Sequence, residues 1–148
     1  LSQFNWYTDP ETKVIEWRRF RNSLQGVDDL IDVQKFWYSA PYKKVSQLHD
    51  ENDSWPTPWT LFNNMSYCDL SKALGMFYTI SLAPKLSKLP LQLNLMHTFE
   101  GERICVVSVD NGKYILNFNK EKIINTNNID DEWQLTSKFV KTDFPLLL

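Results

Sequence analysis

An α+β domain, with helices first and an antiparallel sheet after them, is predicted by three features of this 148-residue chain. Apolar residues recur at helical spacing as far as Leu82, they alternate after Pro84 and Pro90, and Asn111-Gly112 supplies a hairpin turn between two alternating runs. The length suits one domain, and 43% hydrophobic with 14% aromatic residues is enough to close a single core. The expected unit is one domain over 1–148, helical over about 9–83 and sheet over about 91–140.

Each element has a local reason. Asp9-Pro10-Glu11 starts a helix, because Asp9 caps free amides, Pro10 suits the first helical position and Glu11 favours the positive end of the dipole. Val14, Trp17, Phe20 and Leu24 follow at helical spacing, and Gly26 is the expected left-handed stop. Arg18, Arg19 and Arg21 read as a solvated face. A second helix turns Leu30, Ile31 and Trp37 inward and ends before Pro41. Lys43 to Asp53 is a polar surface loop carrying a solvent-exposed His49. Pro56 and Pro58 hold an extended path, flanked by Trp55 and Trp59, which read as core or groove-lining residues. From Ser66 a helix apolar on most sides is expected, hence a buried one, with Cys68 in its first turn.

Leu91, Leu93, Leu95 and His97 share one face of the first strand, Glu100-Gly101 is read as a two-residue turn, and Arg103 to Val109 is the second strand. A two-residue Asn111-Gly112 turn then pairs Val109 with Tyr114, Val107 with Leu116, Val106 with Asn117 and Ile104 with Asn119. Trp133 to Val140 is a last strand, and Leu146-Leu147-Leu148 a tail that docks on the core or on a partner. Directly paired residues share a face, so Cys105 points with Val107 and Leu116, away from Asn117.

Composition removes several function classes. Lysine plus arginine number 16 against 18 acidic residues, with no long block of either sign, so no nucleic-acid partner is expected. No apolar run approaches the ~18 residues of a membrane span, and the start Leu1-Ser2-Gln3-Phe4 carries no signal peptide, so a cytoplasmic or virion-associated protein is expected. Two cysteines exclude a disulfide framework, and their spacing from each other and from two histidines does not suit zinc. With 4 glycines there is neither a phosphate-binding loop nor a dinucleotide fingerprint, and no cofactor is expected. A cysteine at the start of a buried helix is, by contrast, placed where unsatisfied amides favour a thiolate.

The order of Asp53, Trp55, Thr57, Pro58 and Leu61, then Cys68-Asp69, then Gly112, Ile115, Leu116 and Asn117 resembles the bacterial transglutaminase-like cysteine proteinases, which are papain-like in architecture. The resemblance spans roughly residues 30–125 and implies an N-terminal helical part whose cysteine-bearing helix packs on an antiparallel sheet. It also implies a cysteine nucleophile at Cys68, a histidine base on the following strand and an orienting residue at Asn117. Two positions depart from the pattern. Ser66-Tyr67 replaces Gly-Asp before the cysteine, and the base's counterpart is Ile104, which cannot move a proton. With the two-residue Glu100-Gly101 turn, His97 pairs with Ile104 and becomes a displaced base.

Two functions follow as expectations. The first is a domain that has lost catalysis and serves as a binding or assembly module for a protein or peptide, with Trp55, Trp59, Tyr67 and Ile104 lining the groove. A short, asparagine-rich chain of this style is compatible with a bacteriophage virion component within a larger assembly. The second is an active cysteine peptidase, amidase or transglutaminase using Cys68, His97 and Asn117, with helix-start amides holding the oxyanion.

Overall fold

The computed structural model describes residues 3–45 and 47–147. Leu1, Ser2, Ser46 of the polar loop and Leu148 of the tail lie outside the described residues. Three α-helices precede four strands: α1 Pro10–Ser23, α2 Leu30–Tyr38, α3 Asp69–Leu82, β1 Leu91–His97, β2 Arg103–Val109, β3 Tyr114–Leu116 and β4 Gln134–Val140. The expected α+β architecture is the one observed. The strands form one antiparallel sheet in the order β3-β2-β1-β4.

The helix α1 begins as its sequence dictates, with the Asp9 carboxylate accepting from the Thr12 amide at 2.9 Å and Pro10 in the first helical position. It ends at Ser23, one turn before Gly26, whose backbone is extended and leads into a 3-10 turn at Val27–Asp29. Arg21 departs from the expected solvated face: it is buried, with its guanidinium 4.4 Å from the Trp17 ring and 5.8 Å from Trp59. Burial, then the like charge of Arg18, holds its pKa below the ordinary arginine value.

Because α3 is apolar on nearly all sides it runs through the middle of the domain, with Ala73, Leu74, Met76, Phe77 and Ile80 fully buried. One turn of it receives both N-terminal helices. The Thr79 hydroxyl accepts from the indole N–H of Trp17 at 2.9 Å and of Trp37 at 3.0 Å, and donates to its own helix at the Gly75 carbonyl, 2.6 Å. The Trp37 ring lies so close over Gly75 that a Cβ there would stand 2.3 Å from Cε2. Leu93, Leu95, Cys105, Val107, Val109 and Leu116 face this helical layer. The other sheet face is a smaller cluster of Val106, Ile115 and Ile124, with Met96, Ile104, Phe118 and Ile129 against it.

The two hairpins differ in register from each other and, in one case, from expectation. Asn111 and Gly112 have φ of 57° and 86°, the mirror-image turn that matches strand twist, and Val109 pairs with Tyr114 and Val107 with Leu116 as the sequence predicts. The β1–β2 loop holds three residues rather than two. Thr98 N–H donates to Glu102 at 3.0 Å around Phe99-Glu100-Gly101, with Gly101 at φ 92°. His97 therefore pairs with Arg103, and Met96 takes the place opposite Ile104. A shift of one residue changes the face, so His97 stands with Leu95, Arg103 and Cys105 on the helix side of the sheet, whereas Ile104 is on the other side. The predicted pairing of His97 with Ile104 is corrected accordingly.

Thr79→Val keeps the shape but removes the acceptor from two buried indoles. At about 1–3 kcal/mol for each stranded donor, the expected loss is about 2–5 kcal/mol in urea unfolding, most of it spared by Thr79→Ser.

Candidate functional site

The start of α3 is built from the chain segments that precede it. Tyr67 N–H donates to the Pro41 carbonyl at 2.8 Å, and Lys43 N–H to the Tyr67 carbonyl at 3.0 Å, so residues 41–43 run beside the approach to Cys68 as a parallel bridge. The Tyr67 side chain, where the resemblance has a small or acidic residue, is buried against Trp6 and Trp37, and its hydroxyl donates to the Leu61 carbonyl. Burial drives its ionisation far above the ordinary tyrosine range.

Cys68 is the N-cap of α3 rather than a member of its first turn, with φ −88° and ψ 177°. Only 4% of it is exposed. Its carbonyl accepts from the Lys72 amide at 2.9 Å and from the Ser71 hydroxyl at 3.0 Å, and the same hydroxyl lies 3.6 Å from Sγ. On the rim, Asp69 is exposed, while Lys72 is buried with its ammonium donating to the Ala40 carbonyl at 2.9 Å, 5.7 Å from the Tyr42 ring. Burial lowers the Lys72 pKa against the opposing pull of Asp69. Tyr38 is pushed up to about 12 by burial and then by the Asp69 charge.

On the side of β2 that faces α3 stands Cys105, fully buried, its carbonyl joined through the Asn117 amide to that of Asp69 at the helix start. Burial pushes its thiol well up, and the neighbouring Cys68 adds to the effect, which places the two cysteines in each other's field. Cys105 shares a buried face with Val107 and Leu116, as the sequence predicts, but that face is the one turned toward α3 and so toward the site rather than away from it. Ile104 is on the opposite face, with Val106 and Met96.

Asn117 ends the β3 ladder, in a left-handed conformation at φ 70°. Its backbone N–H donates to Gln34 Oε1 at 2.8 Å, and its side-chain amide donates to the Cys105 carbonyl at 2.8 Å and to the Asp69 carbonyl at 3.3 Å. Gln34 in turn donates to the Asn119 carbonyl at 2.9 Å. This buried network ties α2, the start of α3, β2 and the end of β3 together. The amide is spent on main chain and orients no imidazole.

His97 Nδ1 is paired with the Thr136 hydroxyl of β4 at 2.5 Å. His49, expected in solvent, is half-buried; burial and then the Arg103 charge lower its pKa, against Asp50 and Asp69. Both imidazoles line one pocket at the end of the sheet with Arg103, Thr136 and Ser137. Nothing in the sequence spacing marked His49, because a loop residue's neighbours depend on how the loop folds back.

The predicted groove residues go to four places. Trp55 packs on Phe139 and lines a cleft of about 250 Å³ with Pro56, Pro58, Tyr78 and Phe144. Trp59 stands half-exposed beside Trp17 and Arg21, Tyr67 is interior, and Ile104 belongs to the far sheet face.

No family model matches the chain, and no curated protein matches it. Among solved structures, the chain is similar to calcium-bound LapG of Legionella pneumophila, with a TM-score of 0.62 and 14% identity, covering 88% of this chain and 74% of that one. The likeness defines the class of architecture, a transglutaminase-like fold. Calcium belongs to the LapG structure; among the described residues here, no three His, Cys, Asp or Glu side chains gather as cation ligands. Nor, among the described residues, is any helix long and apolar enough to cross a membrane.

Asn117→Asp restores the residue type that the resemblance expects, yet sets a carboxylate against two carbonyls. The variant is expected to lose about 2 kcal/mol or more at pH 7, as a buried donor pair becomes a repulsive one. The loss shrinks at pH 4, where the protonated carboxyl donates again; a burial-raised carboxyl pKa has this sign, with the penalty absent below it. Urea unfolding at the two pH values checks it.

Proposed function

We propose that this transglutaminase-like domain no longer carries out acyl transfer and works as a binding or assembly module for a protein or peptide. One observation carries the reading: where a base and its orienter would face the helix start, β2 offers the thiol of Cys105 and Asn117 is bonded to two main-chain carbonyls. A thiol whose pKa burial has raised is a poor proton shuttle at neutral pH. The burial of Cys68 supports the same conclusion, since an acyl acceptor must be reached by its substrate.

The concave surface suited to a partner is the Trp55 cleft. Its walls combine aromatic and proline side chains with Asp53 and Asp143, and the polar handles of two of the aromatics are already satisfied: Trp55 Nε1–H donates to the Leu48 carbonyl at 2.9 Å and the Tyr78 hydroxyl to the Pro56 carbonyl at 2.7 Å. A surface of that kind offers rigid apolar area at low entropic cost. A virion subunit is one setting that fits the asparagine-rich sequence.

A second reading, a thiol enzyme using Cys68 with His97 as base, is favoured by His97 being on the same sheet face as Cys105. Iodoacetamide labelling followed by peptide mapping separates the two. For a module without catalysis, Cys68 and Cys105 both label slowly in the folded protein and fast in denaturant, and His97→Ala leaves the Cys68 rate unchanged. Fast labelling confined to Cys68 and abolished by His97→Ala would return the chain to the thiol enzymes.

A further inference from the structure

The pocket at the open end of the sheet collects more donors than acceptors. It is bounded by His49 and Asp50 of the polar loop, His97 at the end of β1, Arg103 at the start of β2, and Thr136 and Ser137 of β4. One of these side chains is a guanidinium and two are imidazoles. Arg103 spends one guanidinium nitrogen, Nη1, on Asp50 at 3.4 Å, a long contact between two exposed side chains. Its remaining nitrogens have no hydrogen-bond partner among the described residues. The same holds for both ring nitrogens of His49, for Nε2 of His97 and for the Ser137 hydroxyl. His97 is fixed through Nδ1 to Thr136, which leaves Nε2 as the ring's remaining contact point.

Like-charged groups do not converge at no cost. Burial first and then the Arg103 charge act against protonation of His49, and the carboxylates that oppose them are Asp50 in the same loop and Asp69 at the start of α3. The one carboxylate in the pocket is already shared with Arg103, so the two imidazoles have no carboxylate of their own there. An entering anion would convert this repulsion into charge-assisted hydrogen bonds.

We propose that this pocket binds a phosphomonoester group, with Arg103 as its cationic donor, His49 and His97 as imidazole N–H donors and Ser137 as a hydroxyl donor. A phosphate presents three terminal oxygens in a tetrahedral array, which suits donors arriving from a loop and three strands; a carboxylate has two oxygens in one plane. The cavity, about 460 Å³, exceeds what a phosphoryl group fills, so the rest of the ligand has room to lie along the same end of the sheet. Asp50 is then a competitor, displaced from Arg103 as the phosphate enters. The inference does not depend on whether Cys68 is reactive, because no step passes through a sulfur.

The test is a titration of the isotope-labelled protein with inorganic phosphate at pH 6 and constant ionic strength, following the ring resonances of His49 and His97. Saturable shifts of both rings are expected, at lower concentration than acetate requires. Arg103→Gln should weaken phosphate binding about ten-fold or more, the range for a lost charge-assisted bond. Asp50→Asn should tighten it several-fold by removing the competitor. Both side chains are largely exposed, so neither change threatens the fold, and a structural role for Arg103 predicts no gain from the Asp50 variant. Non-saturating shifts, equal affinity for acetate, or an Arg103→Gln protein that binds as well as the parent would overturn the assignment. Failure here leaves the labelling experiment on Cys68 untouched, so the two readings fall separately.

Discussion

The hydroxyl of Thr79 is the point on which the helical layer depends. A threonine in mid-helix ordinarily bonds back to the carbonyl four residues earlier, and Thr79 does so at Gly75. Its two lone pairs then remain to accept one indole from α1 and one from α2. Both tryptophans are fully buried, so each needs a partner for its N–H, and the same oxygen serves both. Gly75 completes the arrangement by leaving room for the Trp37 ring. The crossing of three helices is set by one polar atom and one missing side chain, inside a region that is otherwise apolar.

The consequences reach the candidate site through the aromatic cluster. Trp37 touches Trp6, Phe62 and Tyr67, and Tyr67 immediately precedes Cys68. The residue before the helix start is thus held by the same packing that positions the helix itself. At the other edge Asn117 takes the main-chain carbonyls of Asp69 and Cys105 onto one amide, fixing the start of α3 to β2. Its left-handed backbone, accessible to asparagine at low cost, is what turns the amide toward both. The place where the resemblance puts an orienter has become a clamp.

How much of this was legible followed from the range of the interactions involved. The start of α1, the buried character of α3 and the Asn111-Gly112 register rest on neighbours within a few residues, and the sequence displays those directly. The turn at 98–102 was harder: Gly101 marks a left-handed residue, but a glycine there serves a two-residue or a three-residue loop equally well. That single ambiguity moved His97 from Ile104 to Arg103. Arg21, His49 and Trp59 were misjudged or left open for another reason, since their surroundings come from segments distant in sequence, which periodicity does not report. The resemblance of the central stretch did reach the right architecture, because the order of a cysteine-bearing helix and an antiparallel sheet is a topological statement that survives changes in side chains.

Strand order also bears on the chemistry. Asn117 follows β3 and His97 ends β1, with the whole of β2 between them. Neighbouring strands are about 4.8 Å apart, so two steps separate the backbones by about 10 Å before any offset along the strands. There is such an offset, because β2 is met at Arg103 by His97 but only from Val107 by β3. An asparagine side chain does not span that gap, and its amide is already committed. A histidine able to use Asn117 would have to stand on β2, and the β2 side chain on that face is Cys105. The two imidazoles instead gather with Arg103 at the far end of the sheet. Position within the sheet, more than the identity of any one residue, separates the thiols from the imidazoles.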